Sequence, residues 1–489
     1  MKDCSNKAFF GSAAARCALG AAAGVLLAGP ALAEAYVPGA GGIEVRLYQT
    51  TAKKGFRELP TAEFTIHPYP AAPAIDVDTA KELHEFVGLG ASLTDASAWI
   101  LAHMEPAKRE RLLRDLFTPE GCNLAALRLN IGASDYSTAL YSYDDTPGDA
   151  EMRDFSLKRD EAHLIPMARE IQRLRPDILW FAAPWSPPGW MKTSGLMVGG
   201  TLKDECRGAL ANYFVRYVQG YAAHGIRVSA VSPQNEPLCN TGGQYPCCTY
   251  TEQMESRFVA ENLAPALRAA GLDTKIWIYD HNPDRKGGAI ARIKRQLADP
   301  KVRAAIGGVA WHCYGEPETA TNMLEVAALH PDVPFYHTEN GPHVVVGRSE
   351  WWWAAKVFNM IQCGCRLFTS WNLCLDELGM PASGSHLCGG FTVVDSETQE
   401  VTYSPQYNLF RHIGPFVKRG ARVLEATGSR GGTRLILFRN PDGEHVLVVV
   451  CDGSLNGIQR RRIAVKYKGL YKTLPLPGRQ WSVSTLVFR

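Results

Sequence analysis

Two short stretches hold the groups best suited to breaking a covalent bond. Val231-Ser232-Pro233-Gln234-Asn235-Glu236-Pro237 is an apolar approach that ends in an Asn-Glu pair and then a proline. Pro334-Phe335-Tyr336-His337-Thr338-Glu339-Asn340-Gly341 repeats the pattern with a second glutamate. Each reads as a strand that delivers a carboxylate to its C-terminal tip, because proline and Asn-Gly interrupt regular structure. Two such carboxylates supply what an acetal needs: one to protonate a leaving oxygen, one to attack the carbon. A lone strand-end glutamate is as often solvated or salt-bridged, so the rest of the chain must decide.

The elements that would position these residues follow a regular rhythm from about residue 86. Strand candidates are Phe86–Leu93, Ala125–Ile131, Ile178–Ala183, Val228–Ser232, Lys275–Tyr279, Gly308–His312, Pro334–His337 and Arg366–Trp371. Helical patterns separate them. In Glu205–His224, Leu210, Phe214, Tyr217 and Tyr221 recur at helical spacing before Gly225 ends the run. Eight such units predict an α/β fold, a (β/α)8 TIM barrel over residues 81–414. A doubly wound open sheet is the alternative, but its glycine-rich first turn, G-x-G-x-x-G, is absent. Alternating strands before the barrel (residues 34–80) and after it (residues 415–489) lack partners of their own. Together they predict an accompanying β-sandwich.

Composition narrows the function. The 489 residues are 46% hydrophobic and 21% charged, with a net charge of +3. That near balance gives no reason to expect nucleic acid or an anionic membrane surface as partner. Lys2, Lys7 and Arg16 precede an Ala/Leu/Gly run and then Ala31-Leu32-Ala33, the layout of a secretory signal over residues 1–33. Export to the periplasm or exterior is therefore expected, with no integral membrane segment in the mature chain. Two of the 13 cysteines leave with that segment. A bridge among Cys239, Cys247 and Cys248 is one reading, but buried small apolar thiols are the expectation for most of the others. Cys363-Gly364-Cys365 lacks zinc-site spacing and no His-Glu-x-x-His occurs, so neither metal nor cofactor is expected.

In a barrel of this kind the active site gathers at the C-terminal strand ends. Those ends present Asp95, Arg128 and Asp135, Trp185, Asn235 and Glu236, His281, His312 and Tyr314, Glu339, and Trp371. Aromatic faces suit the C–H faces of a sugar, and acids and amides suit its hydroxyls. No G-x-S-x-G elbow or P-loop competes for the role.

At these residues the chain resembles glycoside hydrolase family thirty, from about residue 40 to the C-terminus. The motifs are Gly88–Asp95, Leu127–Ser137, Pro184–Lys192, Gln234–Pro237, His312-Cys313-Tyr314 and Thr338-Glu339. The resemblance implies a retaining β-glycosidase with Glu236 as general acid/base and Glu339 as nucleophile. It further implies that Asn235 holds the sugar 2-hydroxyl, that Asp135 and Trp185 take hydroxyls beyond it, and that Trp371 is a stacking platform. Arg128, Tyr314 and His312 would support the nucleophile and its partner. Asp95 reads instead as a helix cap or loop anchor.

The chain departs from the glucosylceramidase pattern at Cys313, at Asn340-Gly341 and in the loop after Glu236, and these changes bear on the aglycone. The Asp135/Trp185 pair favours a terminal glucosyl unit, as in a glucosylceramidase. The substrate is expected to be a β-glucoside, glycolipid or β-glucan. An endo-acting β-1,6-glucanase or xylan-active enzyme of the same fold is the alternative. A catalytically dead glycan-binding barrel would be expected to have lost Glu236, Glu339 or Asn235.

Overall fold

The computed structural model describes residues 42–65, 74–238, 245–342, 347–384, 388–427, 432–453, 462–475 and 480–489. The expected export segment and Cys239 lie outside them. Three strands open the described chain: β1 (Ile43–Thr51), β2 (Lys54–Phe64) and β3 (Ala74–Phe86). The barrel strands follow as β4 (Gly88–Ser92), β5 (Ala126–Asn130), β6 (Leu179–Ala183), β7 (Val228–Val231), β8 (Lys275–His281), β9 (Gly308–His312), β10 (Phe335–Glu339) and β11 (Cys365–Ser370). They pair in parallel and in order, and β11 returns to β4 to close the barrel. All eight coincide with the runs read from sequence.

The outer helices form where the 3.6-residue period predicts them. Arg207–Ala223 buries Leu210, Phe214, Tyr217 and Tyr221, and Gly225 ends the run at φ 81°, a conformation that costs glycine least.

Beyond the barrel come a small sheet, β12 (Cys374–Leu375), β13 (Thr392–Val394) and β14 (Val401–Tyr403), and then β15 (Ala421–Thr427), β16 (Thr433–Arg439), β17 (His445–Cys451), β18 (Arg462–Tyr467), β19 (Leu470–Pro475) and β20 (Ser482–Phe488). The N- and C-terminal strands combine as expected, in the form of one nine-stranded sheet, ordered β19-β18-β3-β15-β16-β17-β20-β1-β2. It curls around Val45, Leu437, Leu447 and Leu486 until Thr65 and Tyr471 exchange backbone hydrogen bonds of 2.8 Å across its two edges. Each edge is thereby partly covered. Buried His412 ties this sheet to the barrel, with its ring nitrogens 2.8 Å from Thr50 Oγ1 and 2.9 Å from Thr485 Oγ1.

Cys122, Cys206, Cys248, Cys313, Cys363, Cys365, Cys374, Cys388 and Cys451 are free thiols, and all of these but Cys388 are buried. They pack as small apolar side chains. No described helix is long and apolar enough to cross a membrane.

Candidate active site

Alternation along the strands builds the site in two layers. Ala126, Phe181, Ala230, Trp277, Ala310 and Leu367 plug the lower barrel interior, where Trp277 stacks on Tyr336 at 3.8 Å. One pleat higher on β5, Arg128 faces inward above Ala126, while Leu127 and Leu129 join the outer core. His312 stands above Ala310 on β9 in the same way.

Strand β8 breaks the alternation. Its register shifts between Tyr279 and His281, and Tyr279 and Asp280 adopt φ of 79° and 52°. The bulge turns Tyr279 outward against Trp311 and brings Asp280 into the barrel. The displaced Tyr279 N–H is taken by buried Glu255 at 2.8 Å.

Arg128 is the hub of the polar layer. Its Nη1 donates to Glu339 Oε2, and its Nη2 donates to Asn235 Oδ1 at 2.8 Å and to Asp280 Oδ2 at 2.7 Å. The Tyr314 hydroxyl donates to Glu339 Oε1 at 2.9 Å. His312 Nδ1 lies 3.1 Å from Glu236 Oε1 and 3.6 Å from Glu339 Oε1, and its Nε2 lies 3.2 Å from Asp280 Oδ1. His281 Nδ1 is 3.2 Å from the same Glu236 oxygen. Glu236, Glu339, Arg128, Asn235, His312 and Tyr314 thus converge from four strand ends.

Charge is closely balanced here. Burial alone would raise Asp280, but Arg128 and His312 hold it down at about 2. Burial works against a charged His312, yet Glu339, Asp280 and Glu236 push it up to about 10, so the ring is an imidazolium at neutral pH. Burial likewise opposes ionisation of Glu236, and the facing His281 and His312 rings overcome it and hold that carboxyl low. Glu339 is raised by burial, with His312 and Arg128 opposing and Glu236 adding to the rise.

Trp185 and Trp371 stack on one another with centroids 4.9 Å apart, and the Arg128 guanidinium lies 4.8 Å over Trp185. Asp135 is raised well above the carboxylate range by burial, then by Glu339 and Glu236; its carboxyl bonds the Trp371 side chain. Its Oδ1 is buried with no protein partner.

Asp95 is a loop anchor. It accepts the Thr138 N–H at 2.7 Å and hydroxyl at 2.8 Å, while Thr94 caps the helix Asp95–His103. Cys313 is buried, its carbonyl held by Asn340 Nδ2 and by Lys356 Nζ at 2.6 Å. It therefore packs beneath the rim and does not line a leaving-group side. A surface concavity of about 830 Å³ lies elsewhere, along the helix Leu164–Leu174, and includes neither glutamate. Chemistry, not size, locates the site.

Asp280 is absent from the residues singled out by sequence, and His281 was seen there only as a rim residue. An acid next to a strand-end histidine was the available signal.

Comparisons with known proteins bear on the family and the fold. The Glycosyl hydrolase family 30 TIM-barrel domain matches residues 86–418. An endo-1,6-beta-D-glucanase of Neurospora crassa is 32% identical over 74% of this chain and 80% of its own length. The lysosomal acid glucosylceramidase of Mus musculus is 27% identical over 82% of each chain. Among solved structures, the endo-beta1,6-glucanase BT3312 superposes with a TM-score of 0.81 at 27% identity, over 91% of this chain and 99% of that one. SrfJ from Salmonella typhimurium gives 0.84 at 28%, over 91% and 100%. A closed eight-stranded barrel, two facing glutamates and a family domain spanning the whole barrel lead to one conclusion: the chain belongs to glycosyl hydrolase family 30.

Proposed function

We propose that this chain is a retaining β-glycosidase that cuts β-1,6-linked glucan within the polymer. The observation that carries the mechanism is the single nitrogen, His312 Nδ1, placed between Glu236 and Glu339 at 3.1 and 3.6 Å. Both carboxylate oxygens lie close to the same nitrogen, so the two carboxyl groups are near one another. The carboxyl groups are thus drawn toward the ~5 Å separation of a retaining pair, short of the room an inverting enzyme leaves for water.

Glu339 is the nucleophile. Arg128 and Tyr314 fix one oxygen each and leave the carboxylate little freedom to rotate. Glu236 protonates the leaving oxygen and later deprotonates the incoming water. His312 stores that proton: as the glycosidic oxygen reaches Glu236, the imidazolium passes it across the 3.1 Å contact and keeps its Nε2–H on Asp280. Asn235 has given its Oδ1 to Arg128, so its amide N–H groups are free for the sugar 2-hydroxyl. Asp135, with an unpaired Oδ1, accepts a hydroxyl farther along the ring. Trp371 and Trp185 supply the aromatic wall.

The sequence led to a terminal, glucosylceramidase-like bond as the main expectation, and that reading yields to its alternative. Support for the polymer comes from the endo-1,6-beta-D-glucanases of Neurospora crassa and Trichoderma harzianum, at 32% and 31% identity, against 27% for the mouse glucosylceramidase. A polymer outside the cell also suits the export expected from residues 1–33. The test is product analysis on a β-1,6-glucan, with a glucosylceramide and an aryl β-glucoside alongside. Early release of mixed oligosaccharides is the expected result. Release of glucose alone, or turnover confined to the glycolipid, would restore the terminal-glucoside reading.

A further inference from the structure

We propose that Glu236, His281 and His312 bind one divalent transition-metal ion of the zinc class, and that the bound ion switches the enzyme off. The three side chains come from the ends of neighbouring strands β7, β8 and β9, so no spacing rule in the sequence reveals them. Their ligand atoms lie within 4.8 Å of one another. Glu236 Oε1 is 3.2 Å from His281 Nδ1 and 3.1 Å from His312 Nδ1. Zinc holds such atoms at ~2.0–2.2 Å in tetrahedral directions, which sets neighbouring ligands roughly 3.3–3.5 Å apart. The two distances from Glu236 to the imidazoles are already near that value.

Two further features favour a metal over a simple ion pair. His281 Nδ1 is buried and 3.2 Å from Glu236 Oε1, with no other partner among the described residues. Beneath, His312 turns its Nε2 to Asp280 Oδ1 at 3.2 Å. A carboxylate on the far nitrogen is the arrangement that fixes a metal-binding imidazole and raises its basicity. Two imidazoles with one carboxylate select zinc, cobalt or copper over calcium or magnesium, which prefer all-oxygen shells. Glu236 and His281 keep partly exposed side chains, so a fourth position opens to the cleft and the ion can exchange.

Binding occupies Glu236 Oε1 and one ring nitrogen each of His281 and His312, and both imidazoles must bind through a proton-free nitrogen. With its charge committed to the ion, Glu236 becomes a much weaker base and no longer holds a proton for the leaving oxygen. The inhibition rests on the acid/base role given to Glu236 above; the binding does not.

The experiment is titration of the full chain with Co2+, read by its visible d–d absorption, beside Zn2+ inhibition of aryl β-glucoside hydrolysis and its reversal by EDTA. Tetrahedral-type Co2+ bands and reversible inhibition are expected. His281→Gln should remove the bands and raise the half-inhibiting Zn2+ concentration by on the order of 10–100-fold or more. His281→Cys keeps a ligand and should retain binding, with a new thiolate-to-cobalt charge-transfer band that also reports a folded site. Cys388→Ser, which removes the partly exposed thiol nearby, should leave metal sensitivity unaltered. Failure of Co2+ to bind, or Zn2+ sensitivity that survives His281→Gln or disappears with Cys388→Ser, would overturn the site. Co2+ binding with undiminished turnover would overturn the switch and the role of Glu236 while leaving the metal site in place.

Discussion

The Glu236 N–H donates to the Asp280 carbonyl across 3.0 Å, and both residues hold left-handed backbone, at φ 46° and 52°. Non-glycine residues rarely adopt that region, and each instance costs of order 1–3 kcal/mol unless its surroundings enforce it. Here each supports the other. The bulge that turns Asp280 under Arg128 and His312 also presents the carbonyl that sets Glu236 at the barrel mouth. One irregularity in β8 therefore sets Glu236 at the barrel mouth and anchors Arg128 and His312, the two cations that face Glu339.

Asp280→Asn should consequently damage both catalysis and acid stability. Arg128 and His312 lose the anion between them, and misplacing such groups costs ~10²-fold in rate. Removing one partner from a buried ionic cluster costs ~3–5 kcal/mol. The pH dependence has a definite sign. The folded carboxyl sits at about 2, below its unfolded value near ~3.9, so its contribution is present above pH 4 and fades as pH falls toward 2. Urea unfolding at pH 7 and pH 3 should show the variant's deficit shrinking at the lower pH.

The same bulge marks the limit of what sequence periodicity conveys. Strict alternation from Trp277 would put Tyr279 inside and Asp280 outside, and the structure does the reverse. Elsewhere the period held: Ala126, Arg128 and the pair Ala310, His312 face inward as a two-residue repeat requires. Glu236 and Glu339 were legible because proline and Asn-Gly mark where their strands stop. The stacking of Trp185 on Trp371 was not legible, because two loops distant in sequence must meet before it exists. Nor was the curling of the nine-stranded sheet, which depends on the Thr65–Tyr471 bridge between strands near opposite ends of the chain.

The two glutamates should fail in different ways. Glu339→Gln replaces the proposed nucleophilic carboxylate by a neutral amide and should lower turnover of every substrate by on the order of 10⁴–10⁶-fold. Glu236→Ala removes the acid, worth ~10²–10⁴-fold for a poor leaving group, while a dinitrophenyl β-glucoside needs no protonation to depart. Azide should restore turnover of that activated substrate in Glu236→Ala and yield the β-glycosyl azide, identified by NMR. Equal loss on both substrates in Glu236→Ala would exchange or void the assigned roles.

His412 offers a stability prediction remote from the chemistry. Burial and then Arg411 lower it to about 3, so it is neutral when folded and bonds Thr50 and Thr485 as a neutral ring. Unfolded, it titrates near ~6.5. Between those values the unfolded chain binds the extra proton, so stability falls as pH drops from 6.5 toward 3. His412→Gln cannot titrate and should be less stable at pH 7, with a smaller fall in Tm from pH 7 to pH 4. Differential scanning calorimetry at the two pH values reads the difference directly.

The last prediction concerns the proton held at His312. Its folded value of about 10 keeps the imidazolium charged through neutral and mildly alkaline pH, so Glu236 can draw a proton there although its own carboxyl is held low. In His312→Gln that store is gone, and Glu236 must carry the proton itself. The alkaline limb of kcat/KM on a β-1,6-glucan should then move to lower pH, because the carboxyl empties well before the imidazolium would. A dinitrophenyl β-glucoside, whose departure needs no acid, should keep its limb. This contrast separates a proton store from a mere spacer. If the limb moved equally for both substrates, the 3.6 Å approach of His312 to Glu339 would be its working contact, and its task would be to hold the nucleophile.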